Sequence, residues 1–258
     1  MLKTLSHKLN DYRTSRLMRT SRYASLMHSL PPGLLPFWAS SANLEFKGIP
    51  RDALFFARAA DGLLTFFDCV RHSGMLCGLP SRAADSVWHA WLAFDRDGLD
   101  AFCLRHFGRT IQHTEAADIG AGMGNALAVC LAQARKLEGH SGAAPTLPRL
   151  FALDRELAMP RGFAYRLKQR KLAYAPMTIQ GVVKTDPLYP VCLSSAGLLA
   201  AGLISQSELA ALSARASKQD TGGSCGGAVA GDAGGGCCGA GCGGGSPRRK
   251  GHLGNEHG

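Results

Sequence analysis

No stretch of this chain runs through about eighteen apolar residues without interruption, so a membrane-spanning helix is not expected. A secretory leader is not expected, and no C-x-x-C pair occurs. The nine cysteines, an odd number, therefore do not read as a disulfide framework. Five of them, Cys69, Cys77, Cys103, Cys130 and Cys192, are scattered among apolar neighbours, and the expected setting is a reducing, cytoplasmic one. Acidic residues are scarce, 19 against 29 lysines and arginines, for a formal net charge of +10. Half of that excess lies in residues 1–30, where Lys3, Lys8, Arg13, Arg16, Arg19 and Arg22 face Asp11 alone. Such a segment reads as a basic arm or helix, solvated for the most part, that could meet nucleic acid or an anionic membrane. Its arginines and serines also give it the look of an organellar transit peptide. No strand of the K/R-G-F-G-F kind is present, so nucleic-acid binding would rest on charge alone.

What is present is helical periodicity. From Leu54 the apolar residues Phe56, Ala59, Ala60, Leu63, Phe67 and Val70 recur at steps of three and four, and Gly74 ends the run. Pro80-Ser81 opens a second helix with Ser81 as N-cap and Ala84, Trp88, Trp91 and Leu92 as its buried stripe. A third begins at Asp97 or Gly98, buries Leu99, Phe102, Cys103 and Phe107, and stops at Gly108. A fourth runs through NALAVCLAQARKLEG, short elements come after it around LFALD and GFAYRLKQRKLAYAP, and residues 196–216 form a last helix broken near Gly202. Residues 177–193, MTIQGVVKTDPLYPVCL, are the best β candidate, a hairpin. The expected fold is mainly α: a small helical domain at 31–217 with at most one short β-hairpin, and a disordered Gly/Cys-rich tail at 218–258. Sixteen of the last thirty-eight residues are glycine, which offers no side chain to bury and loses the most backbone entropy on ordering.

Two segments invite a chemical reading. Residues 118–124, D-I-G-A-G-M-G, look like the glycine loop of S-adenosylmethionine-dependent methyltransferases. The apolar strand that should precede such a loop is absent from RTIQHTEAA, so a helix-entry loop is the stronger expectation. The second segment is 85–113, DSVWHAWLAFDRDGLDAFCLRHFGRTIQH, with three histidines and two tryptophans. Asp85 and His89 are four apart on one helix face, so the two could ligate a divalent metal with His106 or His113 completing the shell. The alternative is a half-buried histidine that hydrogen-bonds Asp85 or a carbonyl and sets one helix on the next. His106, beside Arg105, is expected to face solvent.

The order Pro80-Ser81, Asp85, Trp88-His89, Phe102-Cys103, Phe107-Gly108-Arg109 and His113, then LPRLFALDRELAMPRGFAY at 147–165 and a C-G-G-rich tail, resembles bacterial members of the glycine-rich domain-containing protein family. The resemblance covers residues 50–165 and the tail. Where the family commonly has a histidine pair after F-G-R-x-x, Gln112 takes the first place, and Leu99 stands where an aromatic residue is common; the first departure halves a ligand pair. The resemblance implies a structural role for Trp88, Trp91, Phe102, Cys103, Phe107 and Gly108, and no defined reaction.

The leading expectation is therefore a non-catalytic interaction module with a flexible tail, no catalytic residues, no cofactor and a protein partner. A metal-binding protein or metal-dependent enzyme built on Asp85, His89 and His113 is the alternative, and the tail cysteines Cys225, Cys237, Cys238 and Cys242 could hold a soft metal. A methyltransferase, or membrane or nucleic-acid association through residues 1–30, stands behind these.

Overall fold

Asp52 starts the helix on which the rest of the fold is laid. Its carboxylate accepts the Phe55 N–H at 3.0 Å, and the helix beyond it is apolar on nearly every side, the pattern of a helix enclosed by others. The computed structural model describes residues 2–183 and 186–220. The helices are α1 (Leu2–Thr20), α2 (Ala24–His28), α3 (Leu34–Glu45), α4 (Ala53–Ser73), α5 (Arg82–Phe94), α6 (Arg96–Phe107), α7 (Ala116–Ile119), α8 (Met123–Leu137) and α9 (Arg149–Glu156). An antiparallel pair, β1 (Phe163–Lys168) and β2 (Lys171–Pro176), comes next, then α10 (Ser195–Ala200) and α11 (Gln206–Asp220). Among the described residues the fold is mainly α with a single two-stranded sheet, and no helix is long and apolar enough to cross a membrane.

α4 is the hub: α1, α5, α6, α8 and α9 pack on it, α3 lies on α5, and the hairpin lies on α9. Phe55, Leu63, Leu64, Phe67 and Cys69 of α4 are buried, with Trp88 and Trp91 of α5 and Phe102, Cys103 and Phe107 of α6 in the same core. Gly74 and Gly108 end α4 and α6 at φ of 61° and 75°, where a side chain would be strained. Ser81 caps α5 by accepting the Ala84 N–H. α6 starts a turn's fraction earlier than expected because Asp95 is its cap, accepting the Gly98 N–H at 2.9 Å. Cys69, Cys77, Cys103, Cys130 and Cys192 are free thiols.

Two expectations need correction, and one helix was not foreseen. The hairpin is not at 177–193, where the described residues form only isolated bridges, Leu188 with Tyr174 and Met177 with Val183. It lies in GFAYRLKQRKLAYAP, and its turn residues Gln169 and Arg170 both have positive φ (49° and 62°), the requirement of a type I′ turn. Glycine and asparagine usually meet that requirement, so the turn carries no sequence signal here. Residues 1–30 are not an arm apart from a domain that begins at 31. Tyr23 and Met27 are buried in the common core, Leu17 and Met18 pack against it, and the Tyr23 hydroxyl donates to Asp68 at 3.0 Å. α3 was not expected at all: its prolines, at 31, 32 and 36, mask the spacing of Leu34, Trp38 and Ala42, but Pro36 falls in the first turn, where no N–H is needed. Residues 118–124 form the end of α7, a 3₁₀ turn and the start of α8, the helix-entry loop expected of them, and no parallel sheet occurs among the described residues. The tail from residue 221 onward, Cys225, Cys237, Cys238 and Cys242 included, lies outside the described residues.

Candidate metal centre

The site is built from α5, and α5 is held at its N-terminus by a residue from far away in sequence. Asp154 of α9 is almost fully buried, and its Oδ1 accepts the Ser81 hydroxyl at 2.6 Å and the Ala83 N–H at 2.9 Å. Its Oδ2 accepts the N–H groups of Arg82 at 3.0 Å and of Phe163 at 2.9 Å. A carboxylate at a helix N-terminus meets both the free N–H groups and the positive end of the dipole. Burial pushes the Asp154 pKa up and these four donors pull it back. On the other side, the Trp38 indole N–H of α3 donates to Ser86 at 3.1 Å. These bonds fix the helix that carries Asp85 and His89 and set the end of α3, with Glu45, beside it.

His113 comes from the extended segment after α6. The backbone of Ile111, itself buried, lies beside the Cys103 sulfur, and the Trp88 ring meets the His113 ring, with centroids 4.5 Å apart. Trp88, Trp91, Phe102, Cys103 and Phe107 are all buried, and Trp88 backs the ring of His113. Burial pushes the thiol of Cys103 up to about 12 and that of Cys77 up to about 11, so neither is a thiolate nucleophile near neutral pH.

Three ligand-type atoms converge. His89 Nε2 lies 3.0 Å from His113 Nε2 and 3.6 Å from Asp85 Oδ1, and His113 Nε2 lies 3.1 Å from Asp85 Oδ1. The circle through a triangle with those sides has a radius of about 1.9 Å, so the three atoms are close enough together to hold one ion at the roughly 2.0–2.2 Å usual for zinc, and Asp85, His89 and His113 are the residues that would hold it. His89 Nδ1 is 2.9 Å from Glu45 Oε2. A carboxylate only accepts, so Nδ1 donates to Glu45 and Nε2 is the ring nitrogen turned to the centre. Glu115 Oε1 is 3.5 Å from His113 Nδ1 and 3.7 Å from His89 Nε2. Three carboxylates around two imidazoles make this an acidic island on a chain of net charge +10.

The same atoms accommodate a proton. The hydrogen bond to Asp85 is the largest cause raising the His113 pKa; burial opposes it, and the charges of Asp85, Glu115 and Glu45 add to the rise. A metal and that proton compete for one place. Beside the triad opens a cavity of about 580 Å³, within the range of small-molecule sites. Arg82, Arg109, Phe66, Val70 and Leu79 line it together with the site residues.

Of the residues singled out from sequence, Asp85, His89 and His113 come together, with the single histidine after Gln112 paired to His89 of α5 instead of to a neighbour in the chain. His106 does not join them; it is half-buried against Phe102, with ring centroids 4.5 Å apart, and not open to solvent as expected. Glu45, Glu115, Asp154 and Arg82 were missed. Arg82 could have been found, since it stands three and seven residues before Asp85 and His89 on one helix face. Glu45 and Asp154 act across 44 and 72 residues of chain, where no local pattern points to them.

A family model described as UCP032817-like matches residues 54–185, about half of the chain. That span holds Asp85, His89, His113 and Glu115 and leaves Glu45 outside. No curated protein and no solved structure matches.

Proposed function

We propose that this chain, which belongs to the UCP032817-like family, is a divalent-metal protein that works on a small molecule in the cavity beside Asp85, His89 and His113. The observation that carries the reading is the approach of His89 Nε2, His113 Nε2 and Asp85 Oδ1 to one another at 3.0, 3.1 and 3.6 Å. Two neutral imidazoles and a carboxylate suit zinc and neighbouring ions, and three protein ligands leave a position open for substrate. An ion there would act as a Lewis acid, polarising a substrate oxygen or activating a water. The chain's own groups do the rest: Glu45 orients His89, Asp154 and Trp38 hold α5 in place, and Glu115, beside both histidines, is the carboxylate placed to take a proton at Oε1.

The test is elemental analysis by plasma mass spectrometry of full-length protein purified without chelator. About one metal ion per chain is expected, kept when Cys225, Cys237, Cys238 and Cys242 are replaced by serine and lost in His89→Ala. No metal, or metal lost with the tail cysteines, sinks the reading.

An interaction module is the second proposal, and a separate observation favours it: Leu188, Tyr189 and Val191 are 56%, 46% and 78% exposed in a short stretch. The likeness to the glycine-rich domain-containing proteins belongs with this proposal. A protein partner held there would be released by Val191→Asp.

A further inference from the structure

The lining of the cavity divides by chemistry. The polar lining comprises the triad, Arg82, Arg109 and the 110–115 segment; the apolar lining includes Phe66, Val70 and Leu79, together with Met75 and Leu76, which are 54% and 56% exposed. Exposed methionine and leucine at the entrance of a cavity cost solvation unless something apolar covers them.

Arg82 is the unusual member. Its backbone N–H is engaged by Asp154, but among the described residues its guanidinium forms no ion pair, and its Nε is buried without a hydrogen-bond partner. A guanidinium donor taken out of water and left unpaired is costly, and a partner is to be expected. The group lies over the Phe46 ring, 5.3 Å from its centroid, and the edge of the same ring meets His89 at 5.7 Å. Phe46 thus touches both the guanidinium and His89, and all three residues line the cavity. Trp88, 4% exposed and also lining the cavity, has an indole N–H without a partner. An arginine fork with donors to spare, near a cation site, matches a carboxylate or phosphate group. The acidic side chains of the site, Glu45, Asp85 and Glu115, are engaged with the histidines and leave that fork free.

Resting on the metal reading, we propose that the cavity takes a small amphiphile: its anionic oxygen head lies between the metal and Arg82, and its apolar body runs along Phe66, Val70 and Leu79 to the lip at Met75 and Leu76. Carboxylate and phosphate heads share this chemistry, and binding measurements separate them.

The experiment is calorimetric titration of the full chain with octanoate, octyl phosphate and octanol, on a sample whose zinc content has been measured. Octanoate or octyl phosphate is expected to bind with octanol at least tenfold weaker, and the stronger of the two anions names the head group. Arg82→Gln is expected to lower that anion's affinity by about ten- to a hundredfold while zinc content stays near one per chain. Arg82→Lys, which keeps the charge and loses the fork, should fall between, with far-ultraviolet circular dichroism confirming the fold of both variants. A chain that holds no zinc overturns the metal reading and this one with it. Zinc bound, with octanol as tight as the anions, with Arg82→Gln unchanged, or with no probe binding, overturns this inference alone.

Discussion

Asp154→Asn is the change that tests how the site is held. The side chain keeps its shape but exchanges one acceptor oxygen for an NH₂ donor. If the NH₂ stood at the Oδ2 position, it would face the N–H groups of both Arg82 and Phe163, donor against donor. At the Oδ1 position it would face the Ser81 hydroxyl, which can turn to accept, and the Ala83 N–H, which cannot. The variant therefore adopts the second arrangement and leaves one buried N–H unpaired, at about 1–3 kcal/mol, with the remaining bonds losing their charge assistance. The sum is about 2–4 kcal/mol, read as a lower midpoint in urea with unchanged slope, or as a melting temperature lower by roughly 5–15 °C for a domain of this size. Because Arg82 and Ala83 are the first residues of the helix that presents Asp85, metal affinity should weaken as well. A shift under about 0.5 kcal/mol would refute the idea that Asp154 anchors α5, since that is the range of surface substitutions.

The site and the hairpin each give a further prediction. His113 has a pKa raised in the folded, metal-free chain, so its contribution to stability is complete below about pH 6.5 and is lost as pH rises through the higher folded value. Urea midpoints of metal-free protein should thus fall from pH 6 upward, and this slope should flatten in His113→Asn, while metal affinity rises over the same interval as the proton is displaced; a midpoint that climbs with pH, or an equal slope in the variant, contradicts the assignment. Replacing Gln169-Arg170 by Asn-Gly should raise stability by about 0.5–1.5 kcal/mol, because both residues hold positive φ that the replacements adopt more readily; destabilisation in a thermal melt would mean that the Gln169 or Arg170 side chain does something the backbone account omits.

What could be read from the sequence was local. The helices at 53–73, 82–94, 96–107 and 123–137 announced themselves by spacing and by caps such as Ser81, Gly74 and Gly108. The Asp85/His89 pair was legible for the same reason, since four residues make one turn. The path that brings His113 to them runs with Ile111 buried beside Cys103 and with Trp88 backing the ring, which are contacts between elements. The hairpin was placed one segment too late because its positive-φ turn uses glutamine and arginine. The N-terminal helix looked detached because its charge, and not the few residues that bury Tyr23 and Met27, dominates its composition. Glu45 and Asp154 reach α5 from other helices, and only tertiary packing reveals them.

The central claim is an ion held at one point by three named atoms, and anomalous scattering tests it most directly. Crystals of the zinc-loaded chain, measured on both sides of the zinc absorption edge, should show one dominant anomalous peak about 2.0–2.2 Å from His89 Nε2, His113 Nε2 and Asp85 Oδ1. An empty map at that point, or zinc found only elsewhere in the chain, would leave these residues as a hydrogen-bonded brace between α5 and the loop after α6 and would contradict the account.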